Sequence, residues 1–338
     1  MLALRIALVG LLATGCGSKY VAGLRKPIPV TNEIAHEESR FQGLGGIGLF
    51  QESWRPRSGD AKAVLVIHHG LKDHADRYNE LGELLARKGY AVYAFDMRGH
   101  GDSEGDRQWV DKFDDYVSDL ETFTRLSTAK HPGKPVFLLG HSMGGTVVTM
   151  FVLDRRPPLN GVLLSAPALK PGKEVSEFLI ATTNVLGSAT PGMPVLSLPE
   201  EYFTHQGPDE MRKDPLVVQG AGPARTAKEL LGALDTIGKR MEEIQAPLLI
   251  LHGTDDRITN PDGSKDLSQR ARSTDKTLKL YPGLYHDLLH EPQPHRGEVM
   301  KDILQWMEQR LATAPVPSSV PVAPAAAGTS TTPTTPTP

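Results

Sequence analysis

Residues 136–148 read Val136-Phe137-Leu138-Leu139-Gly140-His141-Ser142-Met143-Gly144-Gly145-Thr146-Val147-Val148. The first apolar run predicts a buried strand and the second a helix, with a serine between glycines at the junction. On so sharp a turn the hydroxyl projects above the sheet, and small flanking residues avoid the neighbouring strand and helix. The first amides of the helix favour negative charge there. The pattern indicates a nucleophilic serine, and the alternative is a glycine-rich turn with a bystander serine.

Apolar strands and amphipathic helices alternate on both sides of this stretch. The strands are continuously apolar, which is typical of parallel strands covered on both faces. The predicted strands span residues 61–70, 90–96, 161–167, 247–253 and 277–281. The fold class is therefore predicted to be α/β, with a mainly parallel, doubly wound sheet.

The alternation stops between residues 169 and 244, where only helical and loop patterns occur. This insertion follows a strand end, where binding sites of such sheets form, so we expect a lid over the site. The alternative is a helical insertion that only packs on the core. Its apolar groups are Phe178, Leu179, Ile180, Val185 and Leu186, and then Met193, Val195, Leu196 and Leu198.

The first 16 residues predict an export signal. Arg5 precedes an apolar run too short to span a membrane, which ends at Cys16, the single cysteine of the chain. Leu12-Ala13-Thr14-Gly15-Cys16 resembles the lipobox of bacterial lipoproteins, although its leucine stands four residues before the cysteine instead of three. The resemblance implies cleavage after residue 15, acylation of Cys16, and a membrane-anchored lipoprotein of the cell envelope, at the outer membrane. The alternatives are an ordinary secretory peptide and a mis-assigned start.

The remaining domain limits follow from composition. Residues 16–40 are expected to be the lipidated N-terminus and a linker, and residues 41–312 the folded domain. Residues 313–338 are almost entirely Ala, Pro, Thr, Ser and Val, and we expect a disordered tail because they have no apolar periodicity. The apolar content of 39% suffices for a full core, and the net charge of −3 gives no indication of a nucleic-acid partner.

A serine nucleophile needs a histidine base held by a carboxylate, and in this fold class the order is serine, acid, histidine. The adjacent Asp255 and Asp256 follow the strand at 247–253, and His286 and His290 follow the strand at 277–281. Periodicity does not choose within either pair.

Backbone amides supply the other half of the predicted site. The N–H groups of Leu71 and Met143 are expected to form an oxyanion hole. A metal site built from His68, His69, His74 and His100 is disfavoured because no zinc-binding motif occurs and neighbouring strand residues face opposite ways. We expect no metal and no cofactor.

Across residues 40–311 the chain resembles the α/β-hydrolases of the monoacylglycerol lipase and lysophospholipase group. The shared motifs are His69-Gly70-x-x-x-His74, Asp96-x-Arg98-Gly99-His100-Gly101-x-Ser103-x-Gly105, Gly140-His141-Ser142-Met143-Gly144-Gly145, Asp214-Pro215-Leu216, Gly253-x-x-Asp256-Arg257, Asp275-Lys276-Thr277-Leu278-Lys279 and Tyr281-x-Gly283-x-x-His286. The resemblance implies that Asp256 is the acid, that His286 is the base, and that the insertion covers an acyl-chain tunnel. The export signal and the Pro/Thr tail depart from the group.

The expected function is a serine esterase that cleaves single-chain lipid esters, most readily monoacylglycerol, through an acyl-enzyme. Ser142, His286 and Asp256 are the expected catalytic residues. The alternatives are a lysophospholipase, a carboxylesterase or peptidase of the same superfamily, and a non-catalytic surface lipoprotein that uses the fold as a binding scaffold.

Overall fold

Strands and helices alternate through the computed structural model, which describes residues 33–171, 177–198 and 200–313. The strands are β1 (Ile34–Gln42), β2 (Gly48–Pro56), β3 (Ala63–His68), β4 (Tyr90–Phe95), β5 (Val136–His141), β6 (Gly161–Ser165), β7 (Pro194–Leu196), β8 (Gly222–Pro223), β9 (Leu248–Gly253) and β10 (Lys276–Tyr281). The helices are α1 (Asn79–Arg87), α2 (Phe113–Ala129), α3 (Met143–Arg155), α4 (Glu177–Ala189), α5 (Asp209–Lys213), α6 (Ala224–Arg240), α7 (Pro261–Arg270) and α8 (His295–Thr313). The predicted signal peptide, Cys16 and nearly all of the predicted tail lie outside the described residues.

One eight-stranded sheet organises the domain, in the order β1-β2-β4-β3-β5-β6-β9-β10. The six strands from β4 to β10 pair in parallel, whereas β1 and β2 are antiparallel to their neighbours. The chain passes from β3 outward to β4 and then returns to place β5 on the other side of β3. The predicted α/β fold with a mainly parallel, doubly wound sheet is confirmed.

Both faces of the sheet are covered, as the continuously apolar strands predict. On one face, Val64 and Val66 of β3 pack in a cluster with residues of α2 and α3. On the other face, Leu65 and Ile67 pack with residues of α1 and α8. Successive residues of β3 thus point to opposite sides, so the two clusters enclose the sheet without leaving a polar face.

Two helices illustrate how local sequence sets the elements. In α1 an acidic residue occupies the first turn and Arg87 the last, as the helix dipole favours, and Gly89 follows with a positive φ of 89°. In α3 ten of the thirteen residues are buried, so the helix is apolar around most of its circumference. Helix α3 begins directly after the turn that follows β5, and the burial of α3 holds that turn against the core.

The predicted N-terminal limit of the folded domain is wrong. We expected a linker up to residue 40, but β1 begins at Ile34 and pairs with β2 along its whole length. The exposure of β1 hides it from the sequence pattern, because residues 37–40 are all exposed and only Ile34 and Phe41 are buried. An antiparallel edge pair needs only one covered face, so its sequence lacks a continuous apolar run.

The insertion at residues 169–244 is mainly helical, as predicted, but it also contains strands. β7 and β8 form a separate two-stranded antiparallel sheet. Both are short and contain proline, which hides them from a search for alternating residues. In the described part of the chain no helix combines the length and apolarity needed to cross a membrane.

Two glycines in helices give opposite predictions for the same substitution. A Cβ on Gly82 of α1 would lie 2.5 Å from Cδ2 of the buried Trp54, whereas one on the exposed Gly232 of α6 would meet nothing within 4 Å. Gly82→Ala should lower the free energy of unfolding by about 1–2 kcal/mol because overpacking outweighs the better helix propensity. Gly232→Ala should raise it by about 0.5–1 kcal/mol. Denaturant unfolding measures both, and changes of the same sign would contradict this description of the packing.

Candidate active site

Ser142 lies at the turn between β5 and α3 in a conformation that side chains rarely adopt. Its φ is 53° and its ψ is −122°. The surroundings hold this strained backbone in place: the Ser142 N–H donates to the carbonyl of Ser165 at 3.0 Å, and its own carbonyl accepts from Gly145 and Ala168. The strain is offset by β5, β6 and α3, which position the serine at the carboxyl edge of the sheet.

The glycines around Ser142 are required by close backbone contacts. A Cβ on Gly140 would lie 2.6 Å from the carbonyl oxygen of Gly144. A Cβ on Gly144 would overlap the carbonyl oxygens of His68 and His69 at the end of β3. The glycine at position 140 therefore lets α3 pack closely on β5, and the glycine at position 144 lets α3 pack closely on the end of β3.

The predicted oxyanion donors, the N–H groups of Leu71 and Met143, follow β3 and β5. These strands are neighbours in the sheet, and the strand order changes direction between them, because β4 lies on one side of β3 and β5 on the other. Ligands of doubly wound sheets bind at this switch point. Leu71 lies just after β3, and Met143 is the first residue of α3. Both residues line the same cavity as Ser142, and neither N–H donates to another described residue. Two amides are therefore available beside the serine.

The structure brings His286 and Asp256 together and leaves Asp255 apart. His286 Nδ1 lies 2.8 Å from Asp256 Oδ2, and both side chains are buried. Asp255 is exposed and accepts a hydrogen bond from Thr254. The ring of His286 lies 4.9 Å from the ring of His141, the residue before Ser142.

The hydrogen bonds of His286 fix its tautomer. Because Nδ1 faces a carboxylate, it carries the proton and donates, which leaves Nε2 as the acceptor. Within the described residues, Nε2 is buried without a hydrogen-bond partner. This nitrogen is therefore the one able to accept a proton from a serine hydroxyl.

Asp256 is a buried carboxylate that several donors stabilise. The backbone N–H groups of Ile258 and Thr259 donate to Oδ1 at 2.7 and 2.9 Å, and the Thr259 hydroxyl lies 2.8 Å from Oδ2. Burial opposes the charge, but the charge of His286 and hydrogen bonds from His252 and His286 hold the pKa of Asp256 well below its usual range. The carboxylate of Asp256 is thus ionised at neutral pH and can accept the hydrogen bond from His286.

The insertion holds the loop that carries His286. The His286 N–H donates to the carbonyl of Tyr202 at 3.3 Å, and the Asp287 N–H donates to the carbonyl of Phe203 at 2.7 Å. His290, the other candidate base, is engaged elsewhere, since its Nδ1 lies 2.7 Å from Asp287 and its Nε2 2.7 Å from the carbonyl of Arg77. The hydrogen bonds of His290 therefore stabilise the loop that carries His286.

The four histidines considered as metal ligands each use a ring nitrogen in another hydrogen bond. The partners are the His69 carbonyl for His68, the Gly70 carbonyl and the Met97 N–H for His69, Asp214 for His74, and the Arg98 carbonyl for His100. Burial lowers the pKa of His68 and of His100 to about 3. No group of metal-binding side chains occurs among the described residues.

A cavity of about 580 Å³ contains Ser142 at its wall. Leu196 and Leu198 line it, as expected for the insertion, whereas Val185 and Met193 are exposed. The side chains of Phe178 and Leu179 lie outside the described residues. Sequence analysis missed three cavity-lining leucines of α6, which are Leu230, Leu231 and Leu234. Their helical spacing within a strongly amphipathic segment was the available signal.

These groups can perform nucleophilic acyl transfer. The serine hydroxyl supplies the nucleophile, the unprotonated Nε2 of His286 a base, and Asp256 a buried charge that favours the imidazolium. The two amides line the same cavity and can stabilise the negative charge that develops on a carbonyl oxygen.

Comparison with known proteins places the chain among hydrolases. The family model described as serine aminopeptidase, S33, matches residues 59–293. The monoacylglycerol lipase of Mycolicibacterium smegmatis is 35% identical over 277 residues, which cover 81% of this chain and 98% of that protein. The monoglyceride lipase of Homo sapiens is 33% identical, with 79% of this chain and 88% of that protein covered. The crystal structure of the Paleococcus ferrophilus monoacylglycerol lipase has a TM-score of 0.69 at 30% identity and covers 78% of this chain and 99% of that one.

The two adjacent aspartates give a matched pair of variants. Asp256→Asn should lower kcat by about 10⁴-fold, because an amide can no longer fix the tautomer of His286 or stabilise its charge. Asp255→Asn should change kcat less than about threefold, because an exposed side chain without contact to His286 contributes little. Hydrolysis of a p-nitrophenyl ester at neutral pH measures both, with thermal unfolding as the check on folding. Equal losses, or the reverse order, would contradict the assignment.

Proposed function

The chain belongs to the serine aminopeptidase S33 family of α/β-hydrolases, and we propose on that basis that it is a lipase for single-chain lipid esters. The family and the similarity to monoacylglycerol lipases identify a carboxylic ester hydrolase. Monoacylglycerol is the preferred substrate in this proposal, with fatty acid and glycerol as the products.

The proposed reaction has two stages. The Ser142 hydroxyl gives its proton to His286 Nε2 and attacks the ester carbonyl, while Asp256 stabilises the imidazolium. The N–H groups of Leu71 and Met143 bind the oxyanion. His286 then protonates the departing alcohol, which leaves the acyl group on Ser142. Water, deprotonated by His286, releases the fatty acid and restores the serine.

The chemistry of the cavity at Ser142 carries the substrate proposal. One wall is apolar and comes from the insertion, with Leu196, Leu198, Leu230, Leu231 and Leu234. A second part of the lining, the polar wall, includes Arg257, Thr259, Asn260, Asp262 and Lys265. The ester of an amphipathic lipid would place its chain against the first wall and its alcohol against the second. A volume of about 580 Å³ lies within the usual range of ligand pockets, about 300–1,000 Å³.

The ion pairs of the polar wall favour a neutral head group. Lys170 Nζ lies 3.0 Å from Asp266, and Lys265 Nζ lies 2.9 Å from Asp262. Each lysine already has a carboxylate partner, so among the described cations of this wall only Arg257, which donates to the Tyr202 hydroxyl at 3.0 Å, has none. A single such cation offers a phosphate less positive charge than three would. Glu200 of the insertion is likewise paired, with Lys72 and Arg212. These pairs support monoacylglycerol over lysophosphatidylcholine.

Because the family is described as serine aminopeptidase, a peptidase is the second candidate function. An aminopeptidase needs an anionic group in the cavity for the ammonium of its substrate, and the carboxylate of Asp262 is paired with Lys265. An aminoacyl p-nitroanilide should therefore be a poor substrate compared with a p-nitrophenyl ester. A non-catalytic scaffold would turn over neither compound.

A panel of esters tests the proposal. Monoacylglycerol should be hydrolysed faster than lysophosphatidylcholine of the same chain length. For p-nitrophenyl esters, kcat/KM should rise with chain length until the cavity is full, by up to about fourfold per methylene, since burial of each contributes about 0.8 kcal/mol. Leu234→Ala should weaken this dependence by removing part of the apolar wall, whereas Leu44→Ala, which changes an exposed leucine, should not. Faster turnover of lysophosphatidylcholine would overturn the head-group proposal, and a preference for acetate would overturn the acyl-chain site.

We further propose that acylated Cys16 anchors the enzyme at the outer membrane, which would bring the cavity near lipid substrates. A lone cysteine directly after an apolar run and small residues supports this proposal. Mass spectrometry of the membrane fraction should find a lipid-modified peptide that begins at Cys16, and Cys16→Ser should move the protein out of that fraction. Recovery of a mature protein with unmodified Cys16, or with cleavage elsewhere, would refute the anchor.

A further inference from the structure

A second buried histidine contacts the carboxylate that holds His286. His252 lies in β9, and its Nε2 is 3.0 Å from Asp256 Oδ2, the same oxygen that His286 Nδ1 approaches. The side chain of His252 is fully buried. It is not among the residues lining the cavity, so it does not touch a substrate there. Two imidazoles therefore share one carboxylate oxygen.

Ser264 supports His252 from the opposite side. The hydroxyl of this buried serine in α7 lies 2.7 Å from His252 Nδ1. A carboxylate can only accept, so Nε2 is the nitrogen that donates to Asp256, and Nδ1 accepts from the hydroxyl of Ser264. The carboxylate thus selects the tautomer of His252, and the Ser264 hydroxyl orients the ring by donating to the other nitrogen.

We propose that His252 is a positioning residue for the reaction, which holds Asp256 Oδ2 toward His286 and limits the basicity that the carboxylate imparts to His286. This proposal rests on the proposed function, because it assigns the acid and base roles to Asp256 and His286. Ser264 takes part as the group that orients His252.

The other donors to Asp256 do not replace His252. The backbone amides of Ile258 and Thr259 both bind Oδ1 and leave Oδ2 to side chains. The Thr259 hydroxyl has one proton and two acceptors within reach, Asp256 Oδ2 at 2.8 Å and the carbonyl of Ala166 at 3.1 Å. The proton of His252 Nε2 has Asp256 Oδ2, at 3.0 Å, as its nearer acceptor, and the Thr259 hydroxyl oxygen lies farther away at 3.3 Å. The hydrogen bond from His252 also contributes to the lowered pKa of Asp256.

The sign of the effect follows from electrostatics. A hydrogen bond from His252 disperses the negative charge on Oδ2. Without it, the carboxylate attracts the proton of the His286 imidazolium more strongly. We therefore expect the acidic limb of the dependence of kcat/KM on pH to move to higher pH. A role confined to packing would lower stability without moving this limb.

The experiment compares His252→Leu and His252→Gln in kcat/KM for one p-nitrophenyl ester as a function of pH. In His252→Leu we expect the midpoint of the acidic limb to rise by about 0.5–1 pH unit and kcat to fall about tenfold. His252→Gln should restore the midpoint, because its amide nitrogen can donate to Asp256 while its oxygen accepts from Ser264. Ser264→Ala should give a smaller shift in the same direction, because His252 then loses the contact that orients its ring toward Asp256.

His36→Leu is the matched control. It also removes a buried imidazole bonded to a carboxylate, Glu52 at 3.0 Å, but in the β1–β2 pair at the far end of the sheet. Thermal unfolding shows whether each variant folds, and His36→Leu should lose stability with the midpoint unchanged. An unshifted midpoint in folded His252→Leu and in Ser264→Ala would overturn the proposal. Failure of the proposed function is distinct, since the wild-type enzyme would then not hydrolyse the ester.

Discussion

The positive φ of Ser142 is the constraint on which the site depends. A side chain with this backbone persists only where the surroundings determine it fully, and here β5, β6 and α3 all hold the turn. The same constraint explains the glycines, because Gly140 and Gly144 allow the helix to approach β5 and the end of β3 closely. It also explains the apolar character of α3, whose burial keeps the turn from relaxing. Strand, turn and helix therefore form one unit, and the remainder of the site is arranged around the hydroxyl that this unit presents.

The second physical requirement is a negative charge kept away from water. Asp256 is buried and ionised, which is costly unless donors surround it. Two backbone amides, the Thr259 hydroxyl and two imidazoles supply them. One of those imidazoles, His286, is in turn held by backbone hydrogen bonds to the insertion. The insertion thus has two roles, since it supplies the leucines of the cavity and positions the loop of the base. Changes in the insertion are expected to affect the chemistry as well as the binding of substrate.

Much of this arrangement is readable in the sequence because buried parallel strands have continuous apolar runs and because functional residues follow their carboxyl ends. The strand and helix around Ser142, and the segments that carry Leu71, Asp256 and His286, follow from that rule. The β1–β2 pair cannot be predicted by that rule, because an edge strand with an exposed face and several charged residues has no continuous apolar run. The leucines of α6 and the contact of His252 with Asp256 depend on tertiary packing, since His252 reads in the sequence only as the end of a strand. The choice between Asp255 and Asp256 also required either the resemblance or the structure, because adjacent residues share every periodic signal.

The central claim is that Ser142 is the nucleophile of an ester hydrolase, and the most direct measurement compares Ser142→Ala with Ser197→Ala. Both serines line the same cavity, but only Ser142 lies at the turn between β5 and α3. Ser142→Ala should abolish labelling by a fluorophosphonate probe and lower ester hydrolysis by several orders of magnitude, on the order of 10³-fold or more, with thermal unfolding unchanged. Ser197→Ala should retain both labelling and activity. A Ser142→Ala protein that keeps more than about a tenth of the activity, or that still reacts with the probe, would contradict the account.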